Sequence, residues 1–259
     1  MIQVNQDLCV GCLRCHGVCL FSVFEEVDGR TSVNPEKRCM GCMHCAAVCP
    51  MGAITWDGEP AIEEEVEGYS EGFKEELIKL VRQRRSYRHY MDKPVNEDVL
   101  KEALDLVSWA PSAKNQHPTK WMVINTKELL DDMMNKILAW VEETGNSPEI
   151  IEEYKLGNNV VMGTAPTILL AYCRDDSINP RQDTAIAMET LELILQAQGI
   201  GTCWAGYLTR MMNAVPALVE DFALPEGYSF YGAFMMGYPQ CEDYIRVPKR
   251  LKMADITWK

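Results

Sequence analysis

No stretch of 18 or more uncharged apolar residues occurs in the 259-residue chain, so the sequence predicts no membrane-spanning helix. Met1–Asp7 has no basic flank running into an apolar segment. No secretory leader is therefore expected, and the expected location is cytoplasmic. Basic residues are few, with 25 Lys and Arg against 38 Asp and Glu and a net charge of −13. A nucleic-acid partner calls for the opposite balance and is not expected. A dinucleotide loop is also missing. Gly199, Gly201 and Gly206 have the wrong spacing for one, follow a helical pattern, and do not lead from a strand into a helix. The sequence thus predicts no separate NAD(P)H domain.

Apolar residues are plentiful. At 47% of the chain they suffice for a buried core, and the length suits one small domain plus one of ordinary size. The charge is unevenly shared. Residues 1–72 hold 12 acidic and 4 basic side chains, and residues 73–259 hold 26 and 21. An acidic first module suits docking on basic redox partners, and it suits solubility equally well.

Eleven cysteines in such a chain point to metal ligation before disulfides. Cys173, Cys203 and Cys241 are scattered and read as small buried residues. The other eight form two copies of C-x2-C-x2-C-x3-C: Cys9, Cys12, Cys15 and Cys19, then Cys39, Cys42, Cys45 and Cys49, offset by 30 residues. A glycine precedes the second cysteine and a valine the fourth in both copies, which marks a duplicated unit. Zinc sites usually set two pairs of ligands apart by a longer loop. Three thiols within seven residues followed by a fourth, twice over, do not fit that plan. Over residues 2–57 the sequence resembles the bacterial-type 2[4Fe–4S] ferredoxins. In that family the fourth cysteine of each run ligates the other cluster. The resemblance therefore implies one cluster on Cys9, Cys12, Cys15 and Cys49, and another on Cys39, Cys42, Cys45 and Cys19. Leu20 stands where proline usually follows. His16 and His44 read as surface residues.

Residues 58–72 are acidic and rich in glycine, as an exposed linker would be. Globular patterning resumes at Phe73 and continues to residue 259. Phe73, Leu77, Leu80 and Val81 recur at helical spacing. Asn96-Glu97-Asp98 reads as an N-cap with an acidic first turn, opening a helix that stops before Pro111. Further helices are expected over 127–143 and 148–161, with strands over 121–125, 167–173, 202–207 and 230–237. Residues 183–198 are apolar on nearly every face, which predicts a helix buried in a core or an oligomer interface. The pattern is that of an α+β domain with helices over a sheet.

Arg82, Arg84, Arg85 and Arg88 crowd the end of the first of these helices, around Ser86. Cations near a helix C-terminus gain about 0.3–1 kcal/mol each from the dipole, which accounts for some of them. Guanidinium groups with a serine hydroxyl also form a phosphate site. Arg84-Arg85-Ser86-Tyr87-Arg88, Ala110-Pro111-Ser112-Ala113-Lys114-Asn115, Gly199-Ile200-Gly201-Thr202-Cys203-Trp204-Ala205-Gly206 and Val247-Pro248-Lys249-Arg250-Leu251 follow one another in the chain. In that order they resemble the FMN-dependent nitroreductase family over roughly residues 73–259.

The resemblance implies a central mixed sheet flanked by helices and a homodimer with FMN at the subunit interface. Arg84, Arg85, Ser86 and Arg88 would hold the phosphate and ribityl chain, joined by Lys249 and Arg250. Asn158 would lie near the ring, and Ala205 and Gly206 would offer it backbone N–H groups. Pro111, Ser112, Ala113 and Asn115 would come from the other subunit. The expected function is that of an oxidoreductase carrying electrons through two [4Fe–4S] clusters to FMN. The acceptor would be a small nitroaromatic, quinone or enone, and the donor a ferredoxin-like partner or NAD(P)H. No catalytic acid or base is assigned. The alternative is a redox-responsive storage or binding protein without a dedicated small substrate.

Overall fold

The computed structural model describes residues 1–240, 244, 246–252 and 254–259. Cys241 lies outside the described residues. The chain divides into two compact units. The first comprises Met1–Ser70 with Lys114–Gln116, and the second Glu71–Ala113 with His117–Lys259.

The first unit runs β1 (Ile2–Val4), α1 (Arg14–Val18), β2 (Phe24–Val27), β3 (Arg30–Val33), α2 (His44–Ala47), β4 (Ile54–Trp56) and β5 (Glu59–Pro60). Every pairing is antiparallel: β1 with β4, β4 with β5, and β2 with β3. Asp28-Gly29 and Asp57-Gly58 close two of the hairpins, with φ from 50° to 89° at all four residues. Asp-Gly supplies this backbone cheaply, and the resulting turn matches strand twist. The second hairpin carries ordered strand to Pro60, inside the stretch expected to be linker. Ile2, Val23, Phe24, Ala46 and Ile54 form the small core together with Cys15 and Cys45.

The duplicated sequence gives a duplicated backbone. Gly11 and Gly41 both have φ +66°, and Leu13 and Met43 have φ 58° and 57° just before α1 and α2. A methyl group on Gly11 would sit 2.1 Å from the carbonyl oxygen of Gly29, whereas on Gly41 it would meet only the Trp56 ring at 3.2 Å. Both substitutions incur the left-handed penalty of roughly 1–2 kcal/mol, but only the first drives into backbone. Gly11→Ala is thus expected to lower the melting temperature more than Gly41→Ala, as thermal unfolding of the two variants would show.

The second unit runs α3 (Phe73–Gln83), α4 (Glu97–Leu106), β6 (Lys120–Ile124), α5 (Lys127–Thr144), α6 (Glu149–Lys155), β7 (Thr167–Arg174), α7 (Pro180–Ala197), β8 (Gly201–Trp204), α8 (Gly206–Ala214), α9 (Pro216–Asp221) and β9 (Tyr228–Gly237). Asn96 caps α4 as its sequence predicts, its Oδ1 accepting from the Asp98 and Val99 amides. The sheet order is β6-β7-β9-β8 with antiparallel neighbours. The parallel component among the described residues is a bridge between Ser86 and Thr202 at the β8 edge.

Ile168 and Leu170 on β7 face a layer built from α5 and α8, and Leu169 and Ala171 face one built from α4 and α7. Helices therefore cover both faces. A strand buried on both faces reads as a continuous apolar run, which is why β7 and β9 are plain in the sequence.

Three expected elements differ. The helix expected over 148–161 ends at Lys155, because Gly157 turns left-handed (φ +88°) and Asn159 then caps the Val161 and Met162 amides. The strand expected over 202–207 ends at Trp204, because Gly206 opens α8. Helix α7 is not apolar all round in its packing. It buries one stripe, Asp183, Thr184, Ala187, Met188, Leu191, Glu192 and Leu195, while Ala185, Ile186, Glu189 and Ala197 stay exposed.

Candidate functional site

In the first unit one cavity is lined by Cys9, Cys12, Cys15 and Cys49, with Thr31 beside them. Three thiols come from the first motif and the fourth from the second. The tight left-handed turns at Gly11 and Leu13 bring the first three around one space, and the short α2 delivers Cys49. No three Cys, His, Asp or Glu side chains among the described residues gather around a single-ion position. Thiols spread about a space suit a cube of iron and sulfide better than one zinc at about 2.3 Å from every sulfur.

All eight motif cysteines are free thiols, and their exposure repeats. Cys12 and Cys42 are exposed, Cys15 and Cys45 buried, and the remaining four intermediate. Amide N–H groups point at sulfurs of both motifs, among them Val23 at Cys19 (3.4 Å), Gly41 at Cys39 (3.4 Å) and Ala53 at Cys49 (3.3 Å). Such donors favour a thiolate, the form that binds metal.

The Cys9 thiol is pulled below its ordinary value. Burial works against that, but Thr31 and Gly11 hydrogen bonds and the Arg30 charge outweigh it. Burial pushes Cys45 up to about 11. Asn115, which groups with this unit, donates its side-chain amide to the Met40 and Gly41 carbonyls at 3.5 and 3.2 Å.

In the second unit the residues after α3 run along the edge of β8. The Tyr87 amide donates to the Thr202 carbonyl at 2.9 Å. The segment is clamped by Gln196 of α7. Its Oε1 accepts from the Arg85 amide (3.1 Å), and its Nε2 donates to the Arg85 carbonyl (3.0 Å), Thr202 Oγ1 (2.8 Å) and Glu192 Oε1 (3.0 Å).

Glu192 in turn accepts from Arg84 at 3.3 Å. Burial raises its carboxyl above the ordinary range, and the Arg84 charge pulls it back. Arg85 closes the helix end through the Arg82 and Arg84 carbonyls at 2.8 and 2.7 Å. Arg88 is exposed and touches the Ser86 carbonyl at 3.2 Å. Its charge, with the Ser86 hydroxyl, partly offsets the burial that raises the Cys203 thiol. Cys173 and Cys203 are both buried, as expected.

The backbone of Arg88 is seated on Gly163. The Thr164 amide donates to its carbonyl at 3.1 Å, and a methyl on Gly163 (φ +58°) would lie 2.4 Å from that oxygen. Gly163→Ala is therefore expected to displace Arg88 and lower the melting temperature, which differential scanning calorimetry would detect.

The chain after β9 returns to the same segment. The Met91 amide donates to the Tyr238 carbonyl, Gln240 to the His89 carbonyl, and Tyr244 stacks edge-on to Tyr87 at 5.2 Å. Lys249 and Arg250 follow and are exposed, and no hydrogen bond or ion pair joins them to the arginines among the described residues. Asn158 is exposed and donates to Glu153 at 2.8 Å. The asparagine turned inward is its neighbour Asn159.

The Ala205 amide cannot serve a ring, because it donates to the Ala233 carbonyl at 2.8 Å. That expectation is corrected. The Gly206 amide, in the first turn of α8, has no carbonyl of its own helix to meet.

Pro111 and Ser112 line a separate cavity of about 230 Å³ with Trp121, Ala187 and Asp183. Asp183 Oδ1 accepts from the Ala113 amide at 2.9 Å, and the Ser112 hydroxyl oxygen accepts from the His117 amide at 2.9 Å. Lys114, Asn115 and His117 all have positive φ, from 42° to 55°. This is strain of the kind that persists only where neighbours hold it.

A sequence model of the nitroreductase family matches residues 81–238, and one for a 4Fe-4S dicluster domain matches residues 8–54. An Archaeoglobus fulgidus protein provisionally called an NADH dehydrogenase/NAD(P)H nitroreductase is 26% identical over 174 residues. The match covers 65% of this chain and 88% of that one. The crystal structure of a Bacteroides fragilis nitroreductase with bound FMN superposes with a TM-score of 0.60 at 22% identity, covering 71% of this chain and 98% of that one. A Desulfitobacterium hafniense nitroreductase with bound FMN gives 0.59 at 22% identity, covering 70% and 98%. These two show that the second unit shares their fold.

Proposed function

The chain belongs to the nitroreductase family and carries a 4Fe-4S dicluster domain at its N-terminus, and from that premise we propose that it is an FMN-dependent oxidoreductase fed through iron–sulfur clusters. The observation that carries this is the cavity ringed by Cys9, Cys12, Cys15 and Cys49 in a chain whose second unit has the nitroreductase fold. When bound, two [4Fe–4S] clusters would supply one-electron carriers, and FMN would supply a two-electron store serving a small nitroaromatic, quinone or enone acceptor.

The chain's own residues bind and orient these groups. Cys39, Cys42, Cys45 and Cys19 hold the second cluster, in a loop with the same backbone conformation as the first. Ser86, Arg85 and Arg88 present donors to the FMN phosphate. Arg84 contributes the guanidinium nitrogens it does not direct at Glu192. Gln196 fixes the peptide of Arg85 on both sides, so these donors are set before the ligand arrives. Lys249 and Arg250 complete the phosphate site on binding, and Asn158 lies near the ring. The Gly206 amide is available to the electron-rich edge of the ring, where a fixed donor stabilises charge. In a homodimer the Pro111–Ala113 segment and Asn115 of one copy line the flavin site of the other. The donor is a ferredoxin-like protein or NAD(P)H.

Anaerobic purification with iron, sulfide and flavin quantified per chain tests the composition. About eight irons, about eight sulfides and about one FMN are expected. The chemically reduced holoprotein should then be reoxidised by a nitroaromatic, quinone or enone. Protein without flavin, or reduced protein that none of the three reoxidises, would overturn the proposal.

A further inference from the structure

Thr31 is a hydroxyl where the fold needs only bulk. It is 2% exposed on β3, inside the core of the first unit. Its Oγ1 lies 3.5 Å from Cys15 Sγ and 3.2 Å from His16 Nε2. A hydroxyl has one proton to give and lone pairs that accept. A metal-bound cysteine is a thiolate and has no proton to give. With Cys15 ligated, a hydrogen bond between the two requires Thr31 to donate to Cys15 Sγ, and its lone pairs are then left to accept from His16 Nε2–H.

The twin motif has no such donor. Cys45 matches Cys15 in position, in burial and in the left-handed residue two places before it. No hydroxyl and no other side-chain donor reaches Cys45 Sγ among the described residues. The donors on the sulfurs of that motif are backbone amides, Gly41 on Cys39, Ala46 on Cys45 and Ala53 on Cys49. Two loops with one backbone thus differ in a buried hydroxyl, which stands beside the ligand sulfurs Cys15 and Cys9 of the first and has no counterpart at Cys45 among the described residues. Hydrogen bonds to the sulfurs are among the terms that set cluster potential, because they stabilise the more negative, reduced state.

We propose that Thr31 is a positioning residue that makes the two clusters unequal, raising the reduction potential of the one held by Cys9, Cys12, Cys15 and Cys49 above that of its twin. An electron entering the first unit then comes to rest on the cluster beside Thr31. This rests on the reading that the unit binds two [4Fe–4S] clusters.

The test is a redox titration of the anaerobic holoprotein followed by electron paramagnetic resonance, on wild type, Thr31→Val and Thr31→Ser, with iron and sulfide counted first. Wild type should give two resolved midpoints. Valine keeps the bulk and removes the hydroxyl, so the higher midpoint should move to more negative potential while the lower one stays. Serine should restore the wild-type pair. Should valine impair loading, Thr31→Ala provides the same comparison. Fully loaded variants whose midpoints match wild type, or shift together, would overturn the proposal, as would serine behaving like valine. Iron for fewer than two clusters in wild type would instead overturn the underlying reading, and that count is known before any potential is measured.

Discussion

Alanine at both Arg84 and Arg88 is expected to strip FMN from the purified protein while iron and sulfide per chain stay at the wild-type level. Each guanidinium-to-phosphate hydrogen bond contributes about 1.5–3 kcal/mol. Losing two weakens flavin binding by roughly two to four orders of magnitude. Neither arginine belongs to the cysteine motifs.

The single variants should separate, because the two arginines do different work. Arg88 is exposed and its guanidinium hydrogen-bonds the Ser86 carbonyl, so Arg88→Ala should lose flavin with little change in melting temperature. Arg84 also faces the buried Glu192 carboxylate, so its loss leaves a charge without its partner.

The pH dependence follows from the direction of the Glu192 shift. Burial already holds that carboxyl above its ordinary value of 4.5. A carboxyl raised in the folded state binds more protons there than in the unfolded chain. Stability therefore falls as pH rises from the unfolded value through the folded one. Arg84→Ala removes the charge that pulls Glu192 down and widens that window. Relative to wild type it should lose more melting temperature at pH 8 than at pH 5, and adding Glu192→Gln should remove the difference. Unchanged flavin occupancy in the Arg84→Ala/Arg88→Ala protein would mean the phosphate lies elsewhere.

The arginines are visible in the sequence, but the residues that place them are not. Glu192 and Gln196 sit four apart on a helix whose composition reads as apolar nearly throughout. Two polar residues at that spacing on a buried stripe were the available signal. Their partners, Arg84, Arg85 and Thr202, belong to segments that local periodicity cannot connect. Asn158 and Asn159 are indistinguishable by position, and only the turn after Gly157 decides that Asn159 points inward.

The same limit explains Ala205. A run from Thr202 to Tyr207 looks extended, yet the chain leaves the sheet after Trp204. The Ala205 amide is then used by Ala233, a residue far along the chain. The duplicated motif was legible because its information is local. Cysteine spacing and a glycine at each left-handed turn specify the loop without help from distant residues. The strands β7 and β9 were legible because burial on both faces leaves no polar alternation to interpret. Asp57-Gly58 was an equally local signal, and it places a hairpin where acidity alone suggested a linker.

The pairing of cysteines across the two motifs predicts a non-additive result. Cys12 and Cys49 line one cavity although 37 positions separate them, whereas Cys19, the last cysteine of the first motif, is absent from it. Cys12→Ala should therefore cost one cluster, about four irons per chain, and Cys49→Ala should damage that same cluster. The double variant Cys12→Ala/Cys49→Ala should then lose no more iron than Cys12→Ala alone. Cys12→Ala/Cys19→Ala removes one ligand from each site and should approach zero iron. Ligands of one centre act as a unit, so their deletions do not add, while deletions in separate centres do. If each motif instead held its own cluster, the two double variants would exchange their outcomes. Iron analysis of these four proteins, purified under argon and compared with wild type, distinguishes the two arrangements without any measurement of turnover.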